Sequence, residues 1–587
     1  MKEFLRSTLA TIAGIFICGF IFAILGITTM AGLLATSATE TVVKDKSVFT
    51  LDLQGVVDER YQPSPIDQFL DDNMSMTMGL DDILASIRKA EKDKHIKGIY
   101  LNSGALVCSS ASLQEIRNAL ADFKKSGKFL IAYSDAYTQG GYYLASVADK
   151  VIVNPAGSLS WHGLAAESMF YKDLLDKIGV KMQVFRVGTY KSAVEPYIGT
   201  EMSPANRKQT QAFIHSIWNE MLEDVAESRN VSKDSLNALA DRNMDFQPAQ
   251  TYIENGLADT LMYKDEVLAY LKSLTETEED DELRTLTLED MINVSSKKPK
   301  NKSGNIIAVY YATGDIDNGS SYDEGINSEK VCKDLRDLRK DEHVKAVVLR
   351  VNSPGGSAYG SEQIWREVSL LKAEKPVVVS MGDYAASGGY YISCAATKIV
   401  AEPTTLTGSI GIFGLVPDIS QLMTDKLGLR IDGVKTNKLS DLGSMGRPLN
   451  EEEGALIQHM VNNGYELFTK RCADGRGMSV DSIKSIAEGR VWTGSMAKEL
   501  NLVDQLGGLD TAISLAKELS GTDEYNLICY PEKEDFFTSL ISTGKGRYIK
   551  SQLKQACGEF YNELLLLKNI NKADRLQARM PFELHIR

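Results

Sequence analysis

The stretch GDYAASGGYYISCAA, Gly382 to Ala396, decides how this chain folds. An apolar run of strand composition, PVVVSM (Pro376 to Met381), leads into a glycine-bearing turn, and the small residues beyond it read as a helix with Ser387 at the junction. A helix entered through Ser-Gly-Gly sets the serine hydroxyl beside backbone N–H groups with no partner inside the helix, where developing negative charge is favoured. The same position suits an N-cap, the commonest task of a serine before a helix. Taken alone, the passage allows a nucleophile or a cap.

A second copy separates the two. Shifting the chain by about 248 residues, an internal-repeat spacing, lays DKHIKGIYL over DEHVKAVVL and YTQGGYYLASVADKVIVNP over AASGGYYISCAATKIVAEP. His95 meets His343, Gly140-Gly141-Tyr142-Tyr143 meets Gly388-Gly389-Tyr390-Tyr391, and Lys150, Pro155 and Gly163 meet Lys398, Pro403 and Gly411. At the serine the copies differ, because Gln139 stands opposite Ser387. The fold therefore needs the glycines and tyrosines but not the hydroxyl, which points to chemistry.

A chain of 587 residues exceeds one hydrophobic core, and the duplication says how it divides. The expected segments are 1–40 (N-terminus and membrane anchor), 41–274 (first repeat), 275–304 (charged linker), 305–522 (second repeat) and 523–587 (C-terminal extension). Ser7 to Thr39 carry no charge, and Leu9 to Leu34 are apolar enough to span a bilayer. Lys2 and Arg6 before that segment put the N-terminus in the cytoplasm and the repeats on the periplasmic or extracytoplasmic side of the inner (cell) membrane. A cleaved signal peptide is the alternative, with Thr36-Ser37-Ala38 as the small residues, although the apolar stretch is long for one. The linker begins acidic, TETEEDDE, and ends basic, KKPKNK.

Within each repeat strands alternate with helices. KGIYLNS and KFLIAYSD read as strands around the helix SLQEIRNALADFKK, with Ser112 as its N-cap, so the fold class is α/β, two parallel sheets with covering helices. A net charge of −14 argues against nucleic acid, and seven scattered cysteines without CxxC or Cys/His spacing indicate neither a zinc site nor a disulfide framework; no cofactor is expected.

A second motif joins Ser387. In VVLRVNSPGGSAYGSEQIW an apolar strand ends at Asn352-Ser353, the chain turns at Pro354-Gly355-Gly356, and a helix follows, so glycine N–H groups can face a cavity as an oxyanion hole. The first repeat reads LNSGALVCSS there and lacks the double glycine. Both losses fall in one copy, and only the second repeat keeps acylation machinery. Its serine needs a base. The six histidines sit poorly: His95 and His343 are duplicated, His162 lies in the silent copy, His215 and His459 lie on predicted helices, and His585 is near the end. A buried lysine can serve instead once desolvation lowers its pKa, and Lys191 in RVGTYKSAVEPY is the candidate.

YAASGGYY, NSPGGS and GTYKSAVEPY, together with the anchor and the duplication, resemble the long form of the signal peptide peptidase A family of membrane-bound serine proteases. The resemblance covers nearly the whole chain. It implies a Clp-protease or crotonase-like fold in each repeat, a Ser/Lys dyad, and a homotetramer that cuts remnant signal peptides. Carried onto this sequence, Ser387 is the nucleophile, Lys191 the general base, and Gly355, Gly356 and Gly388 the oxyanion hole. One departure is Lys438, in VKTNKLSDLG, which stands opposite Lys191 and could supply the base from within the second repeat, as in short relatives. The resemblance makes the chain a serine endopeptidase. Two other classes are a crotonase-like acyl-CoA enzyme, at odds with an export anchor, and a non-catalytic scaffold, at odds with a serine, glycine turn and lysine kept together.

Overall fold

The computed structural model describes residues 40–61, 77–295, 303–319, 325–533, 576–580 and 585–586, with isolated positions among the first 21. The expected anchor and the C-terminal helical stretch from Ile549 lie almost wholly outside these; among the described residues no helix is long and apolar enough to cross a membrane.

Each repeat is built on a parallel sheet. In the first, seven described strands run in the order Thr77–Gly79, Ser47–Asp58, Ile96–Val107, Phe129–Tyr137, Lys150–Leu159, Thr260–Leu261, with Thr285–Leu286 beside Ser47–Asp58. In the second, eight described strands centre on Ile306–Thr313, Val344–Ser353 and Val377–Ala386, flanked by Asn526–Tyr530 on one side and by Leu406–Gly408 and Val491–Thr493 on the other. The duplication survives in register: adding 248 to Phe129 and Lys150 gives Val377 and Lys398, the first residues of the matching strands. The central strands VKAVVLRVNS and VVVSMGDYAA are almost continuously apolar because helices cover both faces of the sheet.

Three expectations change. The chain does not turn at Gly382; strand Val377–Ala386 runs through it, exchanging Lys398–Ala401 for Leu406–Gly408 as its neighbour. Glycine is needed there for a close approach, since a Cβ would lie 2.9 Å from Glu59 Oε2. Ser112 is not an N-cap, for Ser109 holds that position ahead of helix Ser110–Lys124; the Ser112 N–H and hydroxyl instead donate to Asp383 of the second repeat, both at 2.9 Å. Part of the charged linker is folded: Thr285–Leu286 pairs with the first repeat, and helix Leu288–Asn293 follows behind a Thr287/Asp290 capping box. Leu286 and Met291 are buried, and two apolar side chains in a charged stretch suffice to dock it.

The repeats share a buried seam. Gln114 Oε1 accepts from Thr404 Oγ1 at 2.9 Å, and the fully buried Arg350 guanidinium pairs with Glu59 at 2.5 Å and Glu115 at 2.7 Å. A smaller antiparallel sheet crosses the seam, in the order Gly355–Ser357, Gln577–Arg579, Phe413–Asp418, Lys181–Arg186.

Candidate active site

Strand Val377–Ala386 delivers Ser387 to the start of helix Gly388–Ser393 with φ 55° and ψ −112°, a backbone conformation that costs a non-glycine residue roughly 1–3 kcal/mol. Ser387 holds the N-cap position, yet its side chain caps nothing. Its hydroxyl is turned the other way, toward Lys191.

Lys191 arrives from the first repeat. Strand Lys181–Arg186 pairs antiparallel with Phe413–Asp418 of the second repeat, and the loop beyond is pinned by the Tyr190 N–H donating to Glu488 O at 2.9 Å. Gln209 Nε2 donates to Tyr190 O (3.1 Å) and Ser192 Oγ (2.9 Å). Ser192 is therefore tied to the scaffold beside the lysine. The amine ends 2.7 Å from Ser387 Oγ and donates to Ser409 O at 3.0 Å and Ser409 Oγ at 3.1 Å, all within one chain. Lys191, Ser387 and Ser409 are each fully buried. Burial alone pushes the Lys191 amine well below the usual lysine value. A neutral amine has two hydrogens and one lone pair; with both hydrogens directed to Ser409, the lone pair faces the Ser387 hydroxyl.

Gly489 makes room for this lysine. It adopts φ 79°, and a Cβ would fall 2.6 Å from Lys191 Cβ and 2.7 Å from its Cα. Gly489→Ala is expected to shift the amine by about an ångström and to lower kcat for peptide hydrolysis by about 100-fold while the circular dichroism spectrum stays native. Retention of wild-type kcat would mean that lysine placement tolerates the shift.

The two glycine motifs converge. Gly355 and Gly356 have φ of 106° and 152°, and a Cβ on Gly355 would lie 2.7 Å from Gly388 N. The Gly355 N–H donates to Ser353 Oγ at 3.1 Å, which leaves those of Gly356 and Gly388 as the pair available to an oxyanion.

In the first repeat the corresponding place is filled. Gln139 Oε1 accepts from the N–H groups of His162 (2.9 Å) and Gly163 (3.0 Å). Trp161, fully buried, stands at the position matching Ser409 and packs edge-on against Tyr142 at 5.6 Å. Ser409 is the site residue missed in the sequence; its signal was this third difference between the copies, Trp161 against Ser409. Lys438, the alternative base, is exposed and ion-paired with Glu452.

A serine at a strained strand-to-helix turn, touching a buried amine and flanked by converging glycine N–H groups, defines a serine hydrolase of α/β fold. Peptidase family S49 matches residues 122–278 and 369–523, and Clp protease matches 298–406. "Protease 4" of Salmonella typhi is 38% identical over 489 residues, 81% of this chain and 78% of that protein. "Protease 4" of Haemophilus influenzae is 37% identical over 75% of this chain and 72% of its own length. "Serine protease SPPA, chloroplastic" of Arabidopsis thaliana is 32% identical over 92% of this chain and 78% of its own. The chain belongs to Peptidase family S49 and is a serine-type peptidase carrying two S49 repeats.

Proposed function

We propose that the chain is a membrane-anchored endopeptidase that hydrolyses remnant signal peptides and other short apolar peptides through a Ser387/Lys191 dyad. The 2.7 Å contact between the Lys191 amine and the Ser387 hydroxyl, made inside a fully buried pocket, carries this reading. Neutral Lys191 takes the Ser387 proton, and the alkoxide attacks the peptide carbonyl. The Gly356 and Gly388 N–H groups hold the tetrahedral oxyanion, and protonated Lys191 returns the proton to the leaving amine. Water, deprotonated by the same amine, then hydrolyses the acyl-enzyme. Ser409 keeps the lysine lone pair aimed at the serine. One repeat supplies the base and the other the nucleophile, which accounts for both copies being retained. The reading includes the Leu9 to Leu34 anchor, active sites outside the cytoplasm and a homotetrameric assembly.

The test is labelling with a serine-directed fluorophosphonate alongside hydrolysis of an apolar peptide. Wild type is expected to be labelled at Ser387 and to cut the peptide, and Ser387→Ala to do neither. Labelling of Ser387→Ala at undiminished yield would move the nucleophile elsewhere.

A further inference from the structure

Gln209 is a polar side chain on an apolar face. It lies on helix Pro204–Arg229 of the first repeat, in line with the buried Phe213 and Ile217 one and two turns on, and has no exposed surface. A buried amide is unfavourable unless its groups find partners. Here they do. Gln209 Oε1 accepts from the Val491 N–H at 3.2 Å, and Nε2 lies 3.1 Å from Tyr190 O, 2.9 Å from Ser192 Oγ and 3.1 Å from Asn206 Oδ1. The amide can face only one way, because a backbone N–H only donates and a carbonyl only accepts. Val491 therefore takes its oxygen and Tyr190 its nitrogen.

The two ends of that amide reach the two halves of the site. Tyr190 immediately precedes Lys191, whose carbonyl accepts from Arg186 Nη1 at 3.2 Å. Val491 opens strand Val491–Thr493, which pairs antiparallel with Leu406–Gly408 and sets Val491 opposite Gly408. The serines follow from that pair: the Ser387 N–H donates to Gly408 O at 2.8 Å, and the Ser409 N–H to Arg490 O at 2.7 Å. Residues Glu488 to Val491 thus form a rail with the serines on one side. The lysine loop hangs on the other, held at Glu488 O by the Tyr190 N–H and at Val491 by Gln209. The same helix meets the same strand again at Ser216, whose Oγ lies 2.9 Å from Thr493 Oγ1. That bond joins helix to strand and not to the loop.

We propose that Gln209 is a positioning residue of the peptidase reaction: by joining Tyr190 to Val491 it fixes the Lys191 amine against the Ser387 hydroxyl across the boundary between the repeats. The inference rests on the Ser387/Lys191 reading and deepens it, for it names how a base and a nucleophile coded in different repeats keep their 2.7 Å contact. Without the amide the loop loses its tie to Val491, the amine moves away from the serine, and water reaches it. Gln209 acts through the lysine, so its loss falls on kcat and spares KM.

The experiment measures kcat, KM and the pH dependence of kcat/KM for an apolar peptide in full-length wild type, Gln209→Met, Gln209→Asn, Ser216→Ala and Lys191→Met, each below its thermal midpoint. Methionine fills the glutamine's volume without hydrogen bonding. Asparagine keeps the amide but is too short to span both partners, and it carries the test if the methionine variant does not fold. Both Gln209 variants are expected to lose about 10- to 100-fold in kcat at unchanged KM, the scale of a group misplaced by about an ångström. Their acidic limb of kcat/KM should move up by about one pH unit, because water readmitted to the amine lets its pKa climb back toward 10.5. The charged side chains around the loop, Arg186 paired with Glu195, Glu488 and Arg490, stay in place, so the shift reports the amine's own hydration. Ser216→Ala is expected to keep the wild-type kcat and pH profile. If the Gln209 variants keep them too, or if Ser216→Ala loses as much as they do, the amide only docks a helix and the positioning inference is overturned while the dyad reading stands. If Lys191→Met cuts the peptide as well as wild type, both fall.

Discussion

Lys191→Met is expected to abolish peptide hydrolysis and, at the same time, to make the protein more stable at neutral pH. The loss in kcat/KM should reach roughly 10³- to 10⁶-fold, because removing the base disables the serine it serves. Ser387→Ala should cost about as much, and the double variant little more, since the two groups act as a unit. In wild type kcat/KM should rise with pH through the Lys191 pKa, which lies well below 10.5; the neutral amine is the active form. The stability change has the opposite origin. Between the folded and unfolded pKa values of Lys191 the unfolded chain binds the extra proton, so stability rises with pH across that window and the burden of the buried amine is fully felt below it. Methionine removes that burden, and the advantage over wild type should fade as pH approaches 10.5. Thermal unfolding at several pH values, paired with kcat/KM, checks both halves. An active Lys191→Met with an inactive Lys438→Ala would place the base in the second repeat and leave the 2.7 Å contact without a catalytic role.

Arg350→Met is expected to cost about 3–5 kcal/mol, the penalty of stranding buried charge. Arg350 Nε donates to Glu59 Oε1 at 2.5 Å, its Nη1 donates to Ser380 Oγ at 2.9 Å and lies 2.7 Å from Glu115 Oε1, and no part of the guanidinium is exposed. Desolvation already raises the Glu115 pKa against the pull of Arg350, and desolvation followed by repulsion from Glu115 pushes Glu402 up to about 8. Without the arginine these carboxyls move further up. The folded state then holds protons that the unfolded state has released, so stability falls as pH rises, and the deficit of Arg350→Met should be largest in alkali and shrink toward acid. Glu59 and Glu115 belong to the first repeat and Arg350 to the second, so denaturant unfolding should also split into two transitions. A loss below about 1 kcal/mol, or one independent of pH, would mean that water or rearrangement screens the seam.

Much of the fold was legible because it follows from local composition. Apolar strands between helical segments, repeated at 248 residues, specify two parallel sheets, and the matching strands do begin at Phe129 and Val377. Gly382 misled because a glycine required for close packing reads like a glycine required for a turn, and only the Glu59 carboxylate beside it tells them apart. Ser112 misled in the same way: its partner is Asp383 of the other repeat, 271 residues away. The charged linker hid two anchoring side chains, Leu286 and Met291, among residues that set its average composition.

The site was legible in pieces. Ser387 and the glycine turn announced themselves by the contrast between copies, whereas Lys191 was a candidate lysine to which a family resemblance gave the role of base, and Ser409 was not reached at all. Sequence alone determined the repeat, the alternation of strands and helices within each copy and the copy that keeps the serine, because these depend on neighbours along the chain. Tertiary structure alone decided that Lys191 and Ser387, 196 residues apart, meet in one chain, and that the amine is stripped of water. Those facts depend on how two separately coded sheets pack across a buried seam, and no local pattern of residues records that packing.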